Sequence, residues 1–213
     1  LPGIAHELIH RNDSPESILR ITLTRGVGER GYGVSGKEQP TLLITQDPLP
    51  TAPTKPLSLV STAARIAVDD PLARVKSANK LGSVLAKGEA TAHGADDGLI
   101  LNSDGNITET SSANIFWVEN GALRTPPISD GVLPGVTRRL VIGLAPALGK
   151  PVHEESVAPD RLQQAEAVFV TSAATGVVAV GQVDSTAIAT HPLVSQLLNA
   201  YEAELGRHTS NGG

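Results

Sequence analysis

Cysteine is absent from all 213 residues. Disulfides, thiolate nucleophiles and cysteine-bound zinc are therefore excluded, and the composition fits a reducing compartment such as the cytoplasm. Methionine is absent too, even at position 1, where the chain opens LPGIAHELIH. The sequence is accordingly read as part of a longer or processed protein. Aromatic residues make up only 2%, so the core is expected to rest on Val, Leu, Ile and Ala. There is no apolar run of about 18 residues and no charged-then-apolar leader, so neither a membrane span nor export is expected. A net charge of -5 gives no field for nucleic acid. An anionic substrate would need local basic groups.

What is present suffices for a folded protein. Hydrophobic residues make up 40% and charged residues 18%, which excludes a disordered chain. The length allows one large domain or two modest ones. Residues 4–10 (IAHELIH) read as the end of a helix, stopped by the polar run Arg11–Pro15. ILRITLT (18–24) and TLLIT (41–45) have strand character. PLPTAPTKP (48–56) is too proline-rich for a regular element and marks a linker. A helical pattern covers 73–90, with Val75, Leu81, Val84 and Leu85 on its apolar positions. Strands follow at 98–102, 114–118 and 122–125, the last two around Asn120–Gly121, then a helix at 135–149. Strands at 166–171 and 176–180 flank a small-residue turn, a helix covers 192–205, and the tail HTSNGG is expected to fray. The pattern is a mixed α/β (α+β) protein with many hairpins.

Two short motifs fail on context. His6-Glu7-Leu8-Ile9-His10 fits the zinc-hydrolase pattern H-E-x-x-H, but its helix stops at once and no third ligand follows downstream. No metal is expected. Gly26-x-Gly28-x-x-Gly31 fits a dinucleotide fingerprint, yet Tyr32-Gly33-Val34-Ser35-Gly36 follows it where a helix N-terminus is required.

The informative region is 74–139. It carries Lys76-x-x-Asn79 at an expected helix start, then ADDGLILN, then DGNITETSSANIF, then a Thr125-Pro126 turn and GVLPGVTR, in that order. This series resembles the class IV aminotransferase and aminodeoxychorismate lyase family (fold type IV) over roughly residues 18–180. The resemblance implies two α/β lobes with pyridoxal 5'-phosphate between them. Residues 1–50 would be the remnant of the smaller, N-terminal lobe, incomplete here; 51–56 the linker; and 57–213 the larger lobe, a barrel-like sheet with helices outside. It also implies a homodimer. In such relatives an arginine of the N-terminal lobe binds the phosphate, and that region would precede Leu1.

The cofactor's chemistry needs four contributions from a protein, and each has a candidate. Lys76 is the amine that holds the aldehyde and shuttles a proton; burial among apolar neighbours is expected to lower its pKa. Lys80 and Lys87 are read as solvated helix lysines. Glu109 is the acid that keeps the ring nitrogen protonated, within the polar set Thr110, Ser111, Ser112 and Asn114. The amides of Val136 and Thr137 lie where a helix N-terminus would cup the phosphate. The turn Thr171–Gly176 is the fourth: Ser172 and Ala173 toward phosphate, Ala174 toward a substrate carboxylate. Aminotransferases often carry threonine where Ala173 stands, so one hydroxyl is lost.

Lyase and aminotransferase share their opening proton abstraction and then diverge. The stretch Thr24-Arg25-Gly26-x-Gly28-x-Arg30-Gly31-Tyr32 resembles the lyases, with Arg25 and Arg30 as candidates for a dicarboxylic substrate. On that ground 4-amino-4-deoxychorismate lyase, which forms 4-aminobenzoate and pyruvate for folate biosynthesis, is the preferred expectation. Ser172 stands where many lyases have asparagine, which keeps an aminotransferase of D-amino acids, branched-chain amino acids or amines as the alternative. Retention of both Lys76 and Glu109 argues against an inactive, non-enzymatic remnant.

Overall fold

The structure, a computed structural model, describes residues 1–210. Packing divides it into Leu1–Thr51 and a larger unit from Ala52 onward. In the first unit, α1 (Pro2–Asn12) starts on a proline, which has no N–H to leave unpaired. It ends where Asp13 turns left-handed at φ 47° and its N–H reaches back to His10. β1 (Ser17–Thr24) and β2 (Thr41–Pro48) pair antiparallel from Ser17–Pro48 to Thr24–Thr41. The loop between them contains no helix. It needs glycine at 26, where φ is +93° and a Cβ would lie 1.9 Å from the Gln39 carbonyl oxygen.

The second unit is a closed barrel. β3 (Leu57–Ile66) runs parallel to β4 (Asp97–Asn102), which pairs antiparallel with β5 (Ile107–Thr110). β5 pairs with β6 (Asn114–Glu119), and β6 with β9 (Ala167–Ser172). β9 pairs with β10 (Gly176–Val183), and β10 returns parallel to β3. Six strands thus close a ring. β7 (Ala122–Thr125) and β8 (Val152–Glu154) extend from β6, and β11 (Thr186–Ala187) lies beside β10.

Strand alternation sorts side chains to the two faces of this ring. Ile115 and Trp117 point into an interior cluster with Leu59, Leu99, Val168 and Val178. Phe116 and Val118 point outward with Phe169, against Val141 of α3 (Val136–Leu144) and Leu197 of α4 (Pro192–Ser210). Phe116 and Phe169 stack with centroids 5.1 Å apart. Each such buried side chain contributes roughly 1.5–3 kcal/mol. The core therefore does not rest on aliphatics alone: the single Trp and both Phe residues are fully buried at the β6–β9 seam.

Two boundaries differ from expectation. α2 (Leu81–Ala92) begins eight residues later than the helical pattern. Residues 70–77 instead form tight turns, with Ala73 N–H on Asp70 O, Val75 N–H on Leu72 O and Ser77 N–H on Val75 O. The Asp70 carboxylate adds a bond from Leu72 N–H, a local alternative to the helix ladder. At the other end, α4 continues through 210, so the first half of the expected frayed tail is helical. Residues 211–213 lie outside the described residues.

Candidate functional site

Glu109 in β5 lies directly across from Asn114 in β6. Its Oε2 accepts bonds from the Leu133 N–H at 3.1 Å and from Asn114 Nδ2 at 3.3 Å. Asn114 Nδ2 also donates to the Leu133 carbonyl at 2.9 Å. Among the described residues both bonds to Glu109 fall on Oε2, leaving Oε1 for another donor. Burial pushes the Glu109 carboxyl above its ordinary pKa; the Leu133 N–H and the charges of Lys80 and Lys76 offset this only in part.

Lys76 is therefore near Glu109, but not as expected. It lies in the non-helical segment before α2 and is exposed rather than buried among apolar groups. Turns at 70–77 take the place of the expected helix there. Lys80 departs from its reading in the opposite sense. It is half-buried as the N-cap of α2 and acts on Glu109. Only Lys87 is exposed as expected, with its ammonium on the Asp96 carbonyl.

The segment 131–137 approaches Glu109 from the other side. Gly131 turns at φ 93°, Leu133 bonds Glu109, and Gly135 caps α3 with no side-chain cap bond. Val136 and Thr137 open α3, so their N–H groups have no intrahelical acceptor and carry the positive end of the helix. Thr137 is buried and Val136 exposed. A Cβ on Gly135 would lie 2.1 Å from Asn114 Oδ1. Asn114 thus touches both Glu109 and the helix cap.

Asn114 is also the cross-strand partner of Thr171. Among the described residues the buried Thr171 hydroxyl has no hydrogen-bond partner. In the following turn, the Ser172 Oγ pairs with Thr175 Oγ1 at 2.9 Å, and Ala173 and Ala174 form the tip. Glu109, the α3 N-terminus and this turn therefore meet around Asn114. Arg25 and Arg30 belong to the first unit, where both are exposed; Arg25 donates to the Gly33 carbonyl at 3.3 Å. There too, Glu7 is paired with Arg11 at 2.7 Å. Among the described residues no three His, Asp or Glu side chains are arranged to hold a metal.

Neither the Leu133 amide nor Lys80 was identified by sequence reasoning. A backbone amide carries no residue-type signal, and Lys80 became visible only once the start of α2 was known.

The closed six-stranded barrel with outer helices is the fold of the fold type IV aminotransferases. The sequence profile of the family described as amino-transferase class IV matches residues 1–183, and the chain belongs to that family. A Methanocaldococcus jannaschii protein provisionally assigned as a branched-chain-amino-acid aminotransferase is 34% identical over 189 residues, covering 85% of this chain and 64% of that protein. The chain thus spans less than two thirds of that relative's length. A solved Legionella pneumophila structure, provisionally assigned as a 4-amino-4-deoxychorismate lyase, is 30% identical with a TM-score of 0.88, covering 92% of this chain and 73% of that one. The branched-chain aminotransferase of Thermobaculum terrenum, solved in its pyridoxal-phosphate form, is 27% identical with a TM-score of 0.84, covering 94% and 68%.

Proposed function

We propose that this chain binds pyridoxal 5'-phosphate and acts as a lyase on 4-amino-4-deoxychorismate, releasing pyruvate and 4-aminobenzoate for folate biosynthesis. The observation that carries the cofactor reading is the half-buried Glu109 side chain, which among the described residues has no salt-bridge partner and takes both its hydrogen bonds on Oε2. A protonated ring nitrogen is the partner such a group lacks. The uncapped N-terminus of α3 supplies donors for a phosphate, so the residues present fit the group.

When bound, pyridoxal phosphate supplies an aldehyde for the substrate amine and an electron-accepting ring. Glu109 keeps a proton at the ring nitrogen. The Nζ of Lys76 would be the amine that holds the aldehyde and, when free, the base at the substrate α-carbon. The amides of Val136 and Thr137 hold the phosphate, with Ser172 and Ala173 beside it. Ala174 would face the substrate carboxylate; Arg25 and Arg30, in the first unit, are the candidates for an acidic group of a dicarboxylic substrate. Residues 1–50 form part of a smaller lobe, 51–56 the linker and 57–213 the cofactor-binding lobe.

The lyase reading rests on the loop Arg25-Gly26-x-Gly28-x-Arg30-Gly31-Tyr32 and is supported by the Legionella neighbour. Aminotransferase activity is the second reading, favoured by the branched-chain relatives and by Ser172. Incubation with 4-amino-4-deoxychorismate separates them: release of 4-aminobenzoate supports the lyase. Keto-acid formation from amino acids without that product overturns it in favour of transamination.

The working protein is a homodimer. Leu81, Val84 and Leu85 form an exposed apolar stripe on α2, with Leu72 and Val75 exposed just before it. Sedimentation as a monomer would remove this part. A cytoplasmic location is consistent with the absence of cysteine and with the finding that, among the described residues, no helix is long and apolar enough to cross a membrane.

A further inference from the structure

The turn between Glu109 and Asn114 lies beside β4, which already pairs with β5 at Leu99–Thr110 and Ile100–Glu109, and one carboxylate adds a side-chain tie between the turn and that strand. Asp97, the first residue of β4, is only 5% exposed. Its Oδ1 accepts bonds from the Ser111 hydroxyl and from the Gly98 N–H, and its Oδ2 accepts one from Ser112 Oγ at 3.0 Å. The backbone adds a bond from Ser111 N–H to the Gly98 carbonyl at 2.9 Å.

Gly98 is itself fixed. A Cβ there would lie 2.5 Å from the Ala86 carbonyl oxygen and 2.7 Å from Thr62 Cγ2, so β4 is pressed against α2 and β3. The turn is closed on itself as well: Thr110 exchanges bonds with Ala113 through its hydroxyl and its backbone. A closed turn moves as one body, and Asp97 is the side chain that fastens that body to β4. Its two ends are the residues that meet Leu133.

We infer that Asp97 is a positioning residue: by holding the Ser111 and Ser112 hydroxyls it fixes residues 110–113 and so sets Glu109 and Asn114 against Leu133. The inference rests on the reading of Glu109 as the working acid. It requires an acceptor on both oxygens of residue 97, since each serves a different serine. Asp97→Asn keeps the size but turns one acceptor into a donor. The pair Ser111→Ala and Ser112→Ala removes both donors and leaves Asp97 in place, which keeps the test open should Asp97→Asn fail to fold.

The measurement is the titration of the Glu109 carboxyl by carbon NMR in cofactor-free protein. Lys76 and Lys80, the cations that act on it, are unchanged in these variants. Loosening the turn lets water reach Glu109. Both the Asp97 variant and the serine pair are then expected to lower its midpoint toward that of an ordinary carboxyl. Ser112→Thr alone, which keeps a hydroxyl on residue 112, is expected to keep the wild-type midpoint. A midpoint unmoved in both variants, even with a lower melting temperature, overturns the inference and leaves Asp97 a structural residue. Failure of the cofactor reading shows up separately, as wild-type protein that takes up no pyridoxal phosphate while its Glu109 midpoint still follows Asp97.

Discussion

Asn114 Nδ2 donates to the Leu133 carbonyl at 2.9 Å while the Leu133 N–H donates to Glu109. This pair joins strand β6 to the segment that opens α3. Asn114 is 6% exposed, and its loss removes the donor to Glu109 and one of two donors to the Leu133 carbonyl, leaving that carbonyl the Gly135 N–H alone. Asn114→Ala is expected to cost about 1–3 kcal/mol in urea unfolding. A stability equal to wild type would show that Leu133 is held by other contacts.

Glu109 makes a pH-dependent contribution whose sign follows from its raised pKa. A carboxyl raised in the folded state adds stability that is full below its unfolded value, about 4.3, and is lost as pH rises through the folded value. Glu109→Gln is therefore expected to give a higher melting temperature relative to wild type at pH 8 than at pH 4 in cofactor-free protein. Equal effects at the two pH values would contradict this. With cofactor bound, the same variant is expected to turn over about 100-fold more slowly or worse.

Gly135→Ala places a methyl group 2.1 Å from Asn114 Oδ1. Either the amide moves or the start of α3 does, at a cost of about 1–3 kcal/mol. Weaker uptake of pyridoxal phosphate, measured by fluorescence titration, is expected alongside. Unchanged stability and uptake would separate Asn114 from the phosphate-binding segment.

Arg138 is 5% exposed, and its Nη2 donates to the Pro126 carbonyl at 3.0 Å and to Glu154 at 2.6 Å, linking α3 to β8. The Glu154 side chain is 44% exposed and is readily hydrated once alone, whereas the Pro126 carbonyl is not expected to be. Arg138→Met is thus expected to cost about 1–3 kcal/mol, most of it from that carbonyl. A stabilised variant would show that desolvation of the guanidinium outweighs its bonds.

The legible parts of the fold were those with local chemistry. Asn120 and Gly121 both adopt positive φ, at 52° and 68°, as a tight Asn-Gly hairpin turn requires. Gly149, at φ 69°, ends the helical stretch where a glycine was expected to. The alternating residues of β6 and β9 read as strands, but their pairing across about fifty residues, which closes the barrel, has no period in the sequence. β8 is three residues long and was missed for that reason. The start of α2 was misplaced because Val75 continues the apolar spacing, although it is 56% exposed and lies in a turn. That error put Lys76 in a buried helix and Lys80 in solvent. Of the site, the residue types in the Glu109–Asn114 motif were visible; the Leu133 amide that joins them, and the hold of Asp97 on their turn, depend on contacts between strands and were not.

The central claim is that Lys76 holds the cofactor aldehyde while Glu109 faces the ring nitrogen. Its most direct test is the visible absorption spectrum of the purified protein supplied with pyridoxal phosphate, compared with that of Lys76→Ala. The expected result is a yellow absorption band that stays with wild-type protein through dialysis and is missing from the variant. The same dialysis-resistant band in both proteins, or in neither, would contradict the claim.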